Sequence, residues 1–379
     1  MRGSKVLPIA VTVLLALAVT LSGCSSLQGG SSALKVGVIA PLTGDVKTFG
    51  ESTKNGVALA VEEAKAKGMN IEVIYQDDKN DPTEGVNAAN KLISQDGVNA
   101  IVGSVSSKVS IPISEVAQAN KIFMITGTST STKVTVDNGQ RKDYVFRACF
   151  IDPFQGTVMA KFALENLKAK KAAVLYDVSN DYTKGLAEYF KAGFEQGGGQ
   201  VAVFESYGKD DTDFSALLTK VAAAQPDFLF LPDYYNKVSL IAKQAREKGI
   251  TAVFGGGDGW DSAELDYQAT DGGYFSNHYS PNDTRPEVQA FVKAYQEKYG
   301  SVPDALATLG YDAATLLFTA YEKAGSNDPA KIKDAMAGLQ GIKTVSGAIT
   351  FDKNGDPVKS AAILQIKDGK QVFVTSVAP

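Results

Sequence analysis

Short apolar runs alternate with longer stretches of helical period along most of the chain. Lys35-Val36-Gly37-Val38-Ile39-Ala40 reads as a buried parallel strand ending at Pro41-Leu42-Thr43-Gly44, and Phe49 to Ala66 then repeats as an amphipathic helix. Ile71 to Tyr75 is the next strand. Asp81-Pro82-Thr83-Glu84 starts a helix with a capping Asp and a Pro at its first position. Ala100-Ile101-Val102 and Ile122-Phe123-Met124-Ile125 are further strands, joined by a helix over Val109 to Ala119. After Asp152-Pro153 the same grammar restarts, with strands at 172–176, 201–206, 228–231 and 252–254 and helices between them. The repetition predicts two α/β lobes, each a mostly parallel sheet flanked by helices.

Beyond the strand at 272–276 the pattern turns helical, over Pro286 to Tyr299, Ala305 to Lys323 and Pro329 to Leu339, and these helices return to the first lobe. The tail alternates through Ala348 to Phe351, Ala361 to Ile366 and Gln371 to Val377, the last two flanking an Asp368-Gly369 turn that closes a hairpin. Three crossings follow, near Asp152, Tyr279 and Asp352. Several crossing segments around a cleft make a hinge. The predicted division is 34–152 plus 280–352 for lobe 1 and 153–279 plus 353–379 for lobe 2.

The N-terminus belongs to neither lobe. Arg2 and Lys5 precede an uncharged apolar run from Val6 to Leu21, and small residues then lead to Cys24, the layout of a secretory signal over 1–23. The run is too short, and ends too differently, for a retained membrane helix. Leu21-Ser22-Gly23-Cys24 is similar to a bacterial lipobox, which implies acylation of Cys24 and an extracytoplasmic, membrane-anchored protein. Residues 24–33, rich in Gly and Ser, form a flexible tether.

Charge and cysteine content narrow the function. Lys and Arg number 38 against 42 Asp and Glu, for a net charge of −4, with no basic block, so nucleic acid is excluded as a partner. With Cys24 spent on lipid, Cys149 has no intramolecular partner, and the exported domain relies on its apolar core. His278 stands alone, so neither a zinc site nor a Ser-His-Asp triad with a second His can form, and it reads as a structural or surface residue. No metal or cofactor site and no enzyme chemistry are expected. Asp352-Lys353-Asn354-Gly355-Asp356 begins like a calcium loop but carries Ile363 where the bidentate Glu belongs, so it reads as a tight turn.

Two hydroxyl-rich turns, Gly103 to Ser107 and Thr126 to Thr132, follow consecutive predicted strands. At the carboxyl ends of parallel strands, backbone N–H groups, helix N-termini and hydroxyls cradle an anion such as a carboxylate. Ser and Thr also fill turns for purely local reasons. Asp258, in Gly255-Gly256-Gly257-Asp258-Gly259-Trp260, follows a second-lobe strand, where a desolvated carboxylate calls for a cation; a turn-forming role fits it equally well. Phe49, Tyr182 and Tyr234 fall at strand ends, where they can line an apolar slot. An anion site on one lobe and a cation site on the other describe a zwitterion.

These residues together resemble the type I periplasmic-binding fold, specifically the leucine/isoleucine/valine-binding receptors that deliver amino acids to ABC importers. The resemblance spans essentially all of the chain from Leu34. It implies that Ser107 and Thr130 hold the ligand α-carboxylate, with carbonyl and amide groups around Thr128 and Ser129 completing that shell. It also implies that Asp258 holds the ammonium and that Phe49, Tyr182 and Tyr234 contact the side chain. Asp258 stands where the family has Glu, Phe49 where it has Trp, and Ser106 at one position of its first-lobe disulfide. The implied protein is a monomeric receptor for a branched-chain or other small apolar amino acid, serving a membrane permease. The same fold also serves receptors or sensors for aliphatic amides or small carboxylates.

If Cys24 is acylated, Cys24→Ala abolishes metabolic lipid labelling and releases the protein from the membrane. Unchanged membrane retention of the variant in labelled cells contradicts this.

Overall fold

The computed structural model describes Gly3 and residues 33–379; the signal segment, Cys24 and the tether up to residue 32 lie outside the described residues. From Leu34 the chain alternates strand and helix: β1 (Leu34–Ala40), α1 (Lys47–Ala66), β2 (Ile71–Asp77), α2 (Pro82–Ser94), β3 (Ala100–Gly103), α3 (Ser107–Asn120) and β4 (Phe123–Thr126). A two-residue ladder, β5 (Val136–Asp137) with β6 (Gln140–Arg141), precedes β7 (Val145–Arg147). The first sheet runs β2-β1-β3-β4-β7 with every pair parallel. Its central strands β3 and β4 are buried along their whole length, which is why they read as unbroken apolar runs.

Helix formation follows the predicted signals. In α1 the buried Val57, Ala60, Val61 and Ala64 recur at i, i+3, i+4 and i+7, one stripe facing the core. At α2 the Asp81 carboxylate accepts from the N–H groups of Thr83 and Glu84 at 2.8 and 3.1 Å, with Pro82 filling the position that needs no donor.

The second sheet is built from α4 (Asp152–Glu165), β8 (Lys171–Asp177), α5 (Asp181–Gln196), β9 (Gln200–Tyr207), α6 (Ser215–Ala224), β10 (Phe228–Phe230), α7 (Tyr235–Glu247), β11 (Val253–Gly256) and β12 (Tyr274–Asn277). Helices α8 (Pro286–Tyr299), α9 (Ala305–Ala324) and α10 (Pro329–Ala337) follow, then a hairpin of β13 (Ile342–Thr344) and β14 (Gly347–Ile349), and last β15 (Ala361–Lys367) and β16 (Lys370–Val377). The order is β16-β15-β12-β11-β10-β8-β9, parallel from β9 to β12 and antiparallel through the final hairpin. Leu309, Ala313 and Leu317 of α9 share a core with Val36, Val38 and Phe123 of the first sheet, so the helical segment does return there. Gly56 of α1 permits the close approach: a Cβ at that position would stand 1.9 Å from the Ala307 carbonyl oxygen.

Two elements differ from the sequence expectation. The strand expected at 348–351 is half of a local hairpin with 342–344, and β7 was not expected at all. Arg147 explains the second difference, because a charged residue interrupts what is in fact a wholly buried strand. Its guanidinium donates to Asp356 Oδ1 at 2.6 Å, to the carbonyls of Ser129 at 2.7 Å and Ser131 at 2.9 Å, and to Thr135 Oγ1 at 2.9 Å. One side chain thus ties the end of β7, the turn after β4 and the segment entering β15. The charge is tolerated because every direction it donates in meets an acceptor. The Asp352 turn is the tight turn expected: Asp352 Oδ1 accepts from the N–H groups of Asn354 and Asp356 at 2.7 and 2.9 Å, and the Asp356 carboxylate goes to Arg147.

Asp152 opens α4 at the first crossing, wholly buried, with its N–H donating to the Thr130 carbonyl at 3.0 Å. Burial pushes its carboxyl from 3.8 up to about 8. The folded protein therefore keeps this proton to higher pH than the unfolded chain, and its contribution to stability falls as pH rises from about 4 to about 8. Asp152→Asn removes that loss. The melting temperature of the variant relative to wild type should rise steadily between pH 5 and pH 8.5 in ligand-free protein; a difference constant with pH contradicts the assignment.

Candidate functional site

Parallel strands present their carboxyl ends to one crevice. From the first sheet, β3 and β4 are neighbours, so the turns that leave them, 104–107 and 127–131, lie side by side. From the second sheet, the loops after β8, β10 and β11 bring Tyr182, Tyr234 and Asp258 to the facing edge. Between them is a narrow cavity of ≈ 20 Å³, lined by Phe49, Val105, Ser107, Thr128, Thr130 and Leu306 from the first side and by Tyr182, Tyr234, Asp258 and Gly259 from the second.

On the first side, Ser107 is the first residue of α3, and its Oγ accepts from the Ser131 N–H at 3.1 Å, joining the two hydroxyl turns. Thr128 Oγ1 donates to the Val105 carbonyl at 2.9 Å. The Thr130 hydroxyl is buried beside the Asp152 carboxyl and makes no hydrogen bond of ordinary geometry. Ser129 is the one candidate that does not line the cavity. Its hydroxyl bonds the Val105 carbonyl and Ser110 Oγ, its N–H donates to Thr126 Oγ1, and its carbonyl accepts from Arg147 and the Cys149 thiol. All its polar groups are spent holding the turn in shape.

On the second side, the Tyr182 and Tyr234 rings stack 5.3 Å apart, nearly parallel at 2°, and Phe49 meets Tyr234 edge-on at 5.7 Å. The glycine-rich turn exists to admit these rings. A Cβ on Gly257 would stand 2.6 Å from Tyr182 Oη, and one on Gly259 would stand 2.8 Å from the Asp233 carbonyl oxygen and 3.0 Å from Tyr234 Cδ1. Asp258 therefore opens a single turn of 3₁₀ helix with a glycine on either side of it.

The Asp258 carboxylate accepts from Gln155 Nε2 at 2.8 Å, Tyr182 Oη at 3.0 Å and His278 Nε2 at 2.9 Å. A carboxylate only accepts, so His278 carries its proton on Nε2. The imidazole is buried and stacked on Phe150 at 3.8 Å, and burial lowers its pKa, keeping the ring neutral with Nδ1 unpartnered. Among the described residues no Lys or Arg forms an ion pair with Asp258. The single histidine is thus no surface residue but the support of the candidate carboxylate. Sequence order hid this, because β12 adjoins β11 only through the parallel pairing of Gly255 with Tyr274. Val105, Gly259 and Leu306 also escaped sequence reasoning, being an apolar residue, a glycine and a helix start with no chemistry of their own.

Reactive groups do not converge here. Cys149 is buried, its thiol pushed up to about 12, and among the described residues no three His, Cys, Asp or Glu side chains meet as metal ligands. The arrangement can hold a small molecule with an anionic end toward the hydroxyl turns, a cationic end toward Asp258 and an apolar part against the aromatic rings.

A family model described as "Periplasmic binding protein" matches residues 33–371. The Leu/Ile/Val-binding protein homolog 3 of Brucella melitensis is 33% identical over 89% of this chain and 93% of its own length. A leucine binding protein, LivK, from Thermotoga maritima superposes with a TM-score of 0.87 at 38% identity, covering 92% of this chain and 99% of that one. The branched-chain amino acid transporter substrate binding protein LivJ from Streptococcus pneumoniae, solved in complex with isoleucine, gives 0.85 at 31% identity, covering 92% of this chain and all of that one. The fold is thus shared across nearly the whole described chain, and the chain belongs to the periplasmic binding protein family.

Proposed function

We propose that this protein is an extracytoplasmic receptor that closes on a small apolar α-amino acid and presents it to an ABC importer, without chemical change. One observation carries the reading: a largely buried carboxylate, Asp258, which pairs with no Lys or Arg among the described residues, faces the paired hydroxyl turns across a narrow cavity. In this reading Ser107, Thr128 and Thr130 take the α-carboxylate, Asp258 takes the ammonium, and Phe49, Tyr182 and Tyr234 flank the side chain. Ser129 acts only by shaping its turn. The relatives named for branched-chain amino acids, and the isoleucine held by one solved neighbour, support this ligand class.

Closure would bring residues 34–152 plus 280–352 against 153–279 plus 353–379. Outside the cavity these segments already touch: Thr48 Oγ1 lies 3.1 Å from Ser262 Oγ, the Tyr235 hydroxyl donates to the Asp45 carbonyl at 3.2 Å, and Lys133 pairs with Asp181 at 2.6 Å. The ion pair is solvent-exposed and contributes little. Binding energy must therefore come mainly from the ligand. We further propose that the protein works as a monomer, tethered through acylated Cys24 once the signal segment is removed.

A thermal-shift screen of amino acids, aliphatic amides and simple carboxylates tests the class, since a ligand at 100 times its dissociation constant adds about 2.7 kcal/mol of stability. Leucine, isoleucine or valine should give the largest shifts; stabilisation by an amide or a simple acid but by no amino acid contradicts the proposal. Thr130→Val keeps the shape of the site but removes a charge-assisted hydrogen bond, so titration calorimetry should show about a 10- to 150-fold loss of amino-acid affinity. Ligand-free stability should hardly change. Equal losses of ligand-free stability and of affinity would make Thr130 a turn residue only.

A further inference from the structure

A second cavity, ≈ 630 Å³, lies away from the crevice. Its walls are the second crossing from His278 to Arg285, the β13–β14 turn at Ser346, the approach to β15 from Val358 to Ala362, and the edge strand β16 at Phe373. The feature that needs explaining is Lys359. Its side chain lines this cavity yet is only 5% exposed, and its ammonium donates to Ser346 Oγ, itself in the wall, and to the Ala148 carbonyl at 3.4 Å.

No carboxylate lies within ion-pair distance of it among the described residues. Asp312 raises the Lys359 pKa from beyond ion-pair distance and makes no direct pair with it. Asp312 accepts from the N–H groups of Val345 and Ser346, both at 2.9 Å; Arg285 is held by Asp283 at 2.8 Å; and His278 is neutral on Asp258. Burial draws the Lys359 ammonium down to about 8, which leaves it charged at neutral pH. A buried cation bonded only to neutral oxygens is costly, and an anion entering the cavity offsets that cost. The remaining wall selects the anion. Val358 is 58% exposed and Phe373 44% exposed beside the cavity mouth, apolar surface that a bare inorganic ion leaves wet.

We infer that this hinge cavity is a second ligand site, taking a small monocarboxylate whose head meets Lys359 and whose apolar tail lies against Val358 and Phe373. The site is separate from the amino-acid crevice, and its two long walls are crossing segments between the lobes.

Butyrate is the probe, titrated by calorimetry into the full-length protein. Wild type should bind it at millimolar concentration or below, and Lys359→Gln should weaken binding roughly 10-fold or more, the loss of a charge-assisted contact. Phe373→Ser, at a position 44% exposed, should weaken it several-fold while the melting temperature stays close to wild type. Thr130→Val, in the crevice, should leave butyrate affinity unchanged. The inference is overturned by three results: no binding to wild type, equal binding to Lys359→Gln, or a loss in Thr130→Val instead, which would place the acid in the crevice. Sulfate displacing butyrate on equal terms overturns the assignment of the apolar tail. Each arm stands whether or not the crevice takes an amino acid, because no amino acid is present.

Discussion

A carboxylate held by neutral donors governs this structure. Asp258 accepts from an amide, a phenol and an imidazole, all arriving from different elements of the second sheet's layer: Gln155 from α4, Tyr182 from α5 and His278 from the end of β12. Three hydrogen bonds fix the orientation of the carboxylate and stabilise its charge in part, but they supply no counter-charge. Taking that group out of water without a cation is costly, and the cost falls only when a cation arrives. The same requirement shapes the backbone around it. Gly257 and Gly259 leave room for the two tyrosines, whose stacked rings narrow the crevice to a slot.

The opposite wall needs rigidity of a different kind. Hydroxyls are weak anchors unless their turns are held, and the turn after β4 is held from behind by Arg147, which grips the carbonyls of Ser129 and Ser131. Because the same guanidinium pairs with Asp356, the turn that would face the ligand carboxylate is fastened to a segment that crosses between the sheets. The crevice turn and the segment leading into β15 are therefore linked through one buried cation. Asp152 adds a second link, since its N–H holds the Thr130 carbonyl at the start of α4.

Much of this was legible from residue order. Unbroken apolar runs marked the parallel strands, and the position of hydroxyls, tyrosines and Asp258 just past those runs placed them on the crevice edges, because parallel strands present all their carboxyl ends to one side. What stayed hidden depended on long-range pairing. Arg147 broke an apolar pattern whose burial only its distant acceptors make tolerable. His278 reads as an isolated residue until β12 is laid beside β11. Ser129 had the right chemistry in the right turn, yet its side chain turns inward to Val105 and Ser110, a distinction of rotamer and backbone direction that residue type does not carry.

The central claim is that Asp258 exists to meet an ammonium. A thermodynamic cycle tests it: calorimetric affinities of wild type and Asp258→Asn for leucine and for its deaminated analogue, 4-methylpentanoate. The amide keeps the volume and an acceptor oxygen but cannot offset the charge, and the analogue leaves the native carboxylate unpaired. Wild type should reject the analogue, Asp258→Asn should lose about 3 to 5 kcal/mol toward leucine, and the variant should gain toward the analogue relative to leucine. A coupling energy near zero between the substitution and the missing amine contradicts the account.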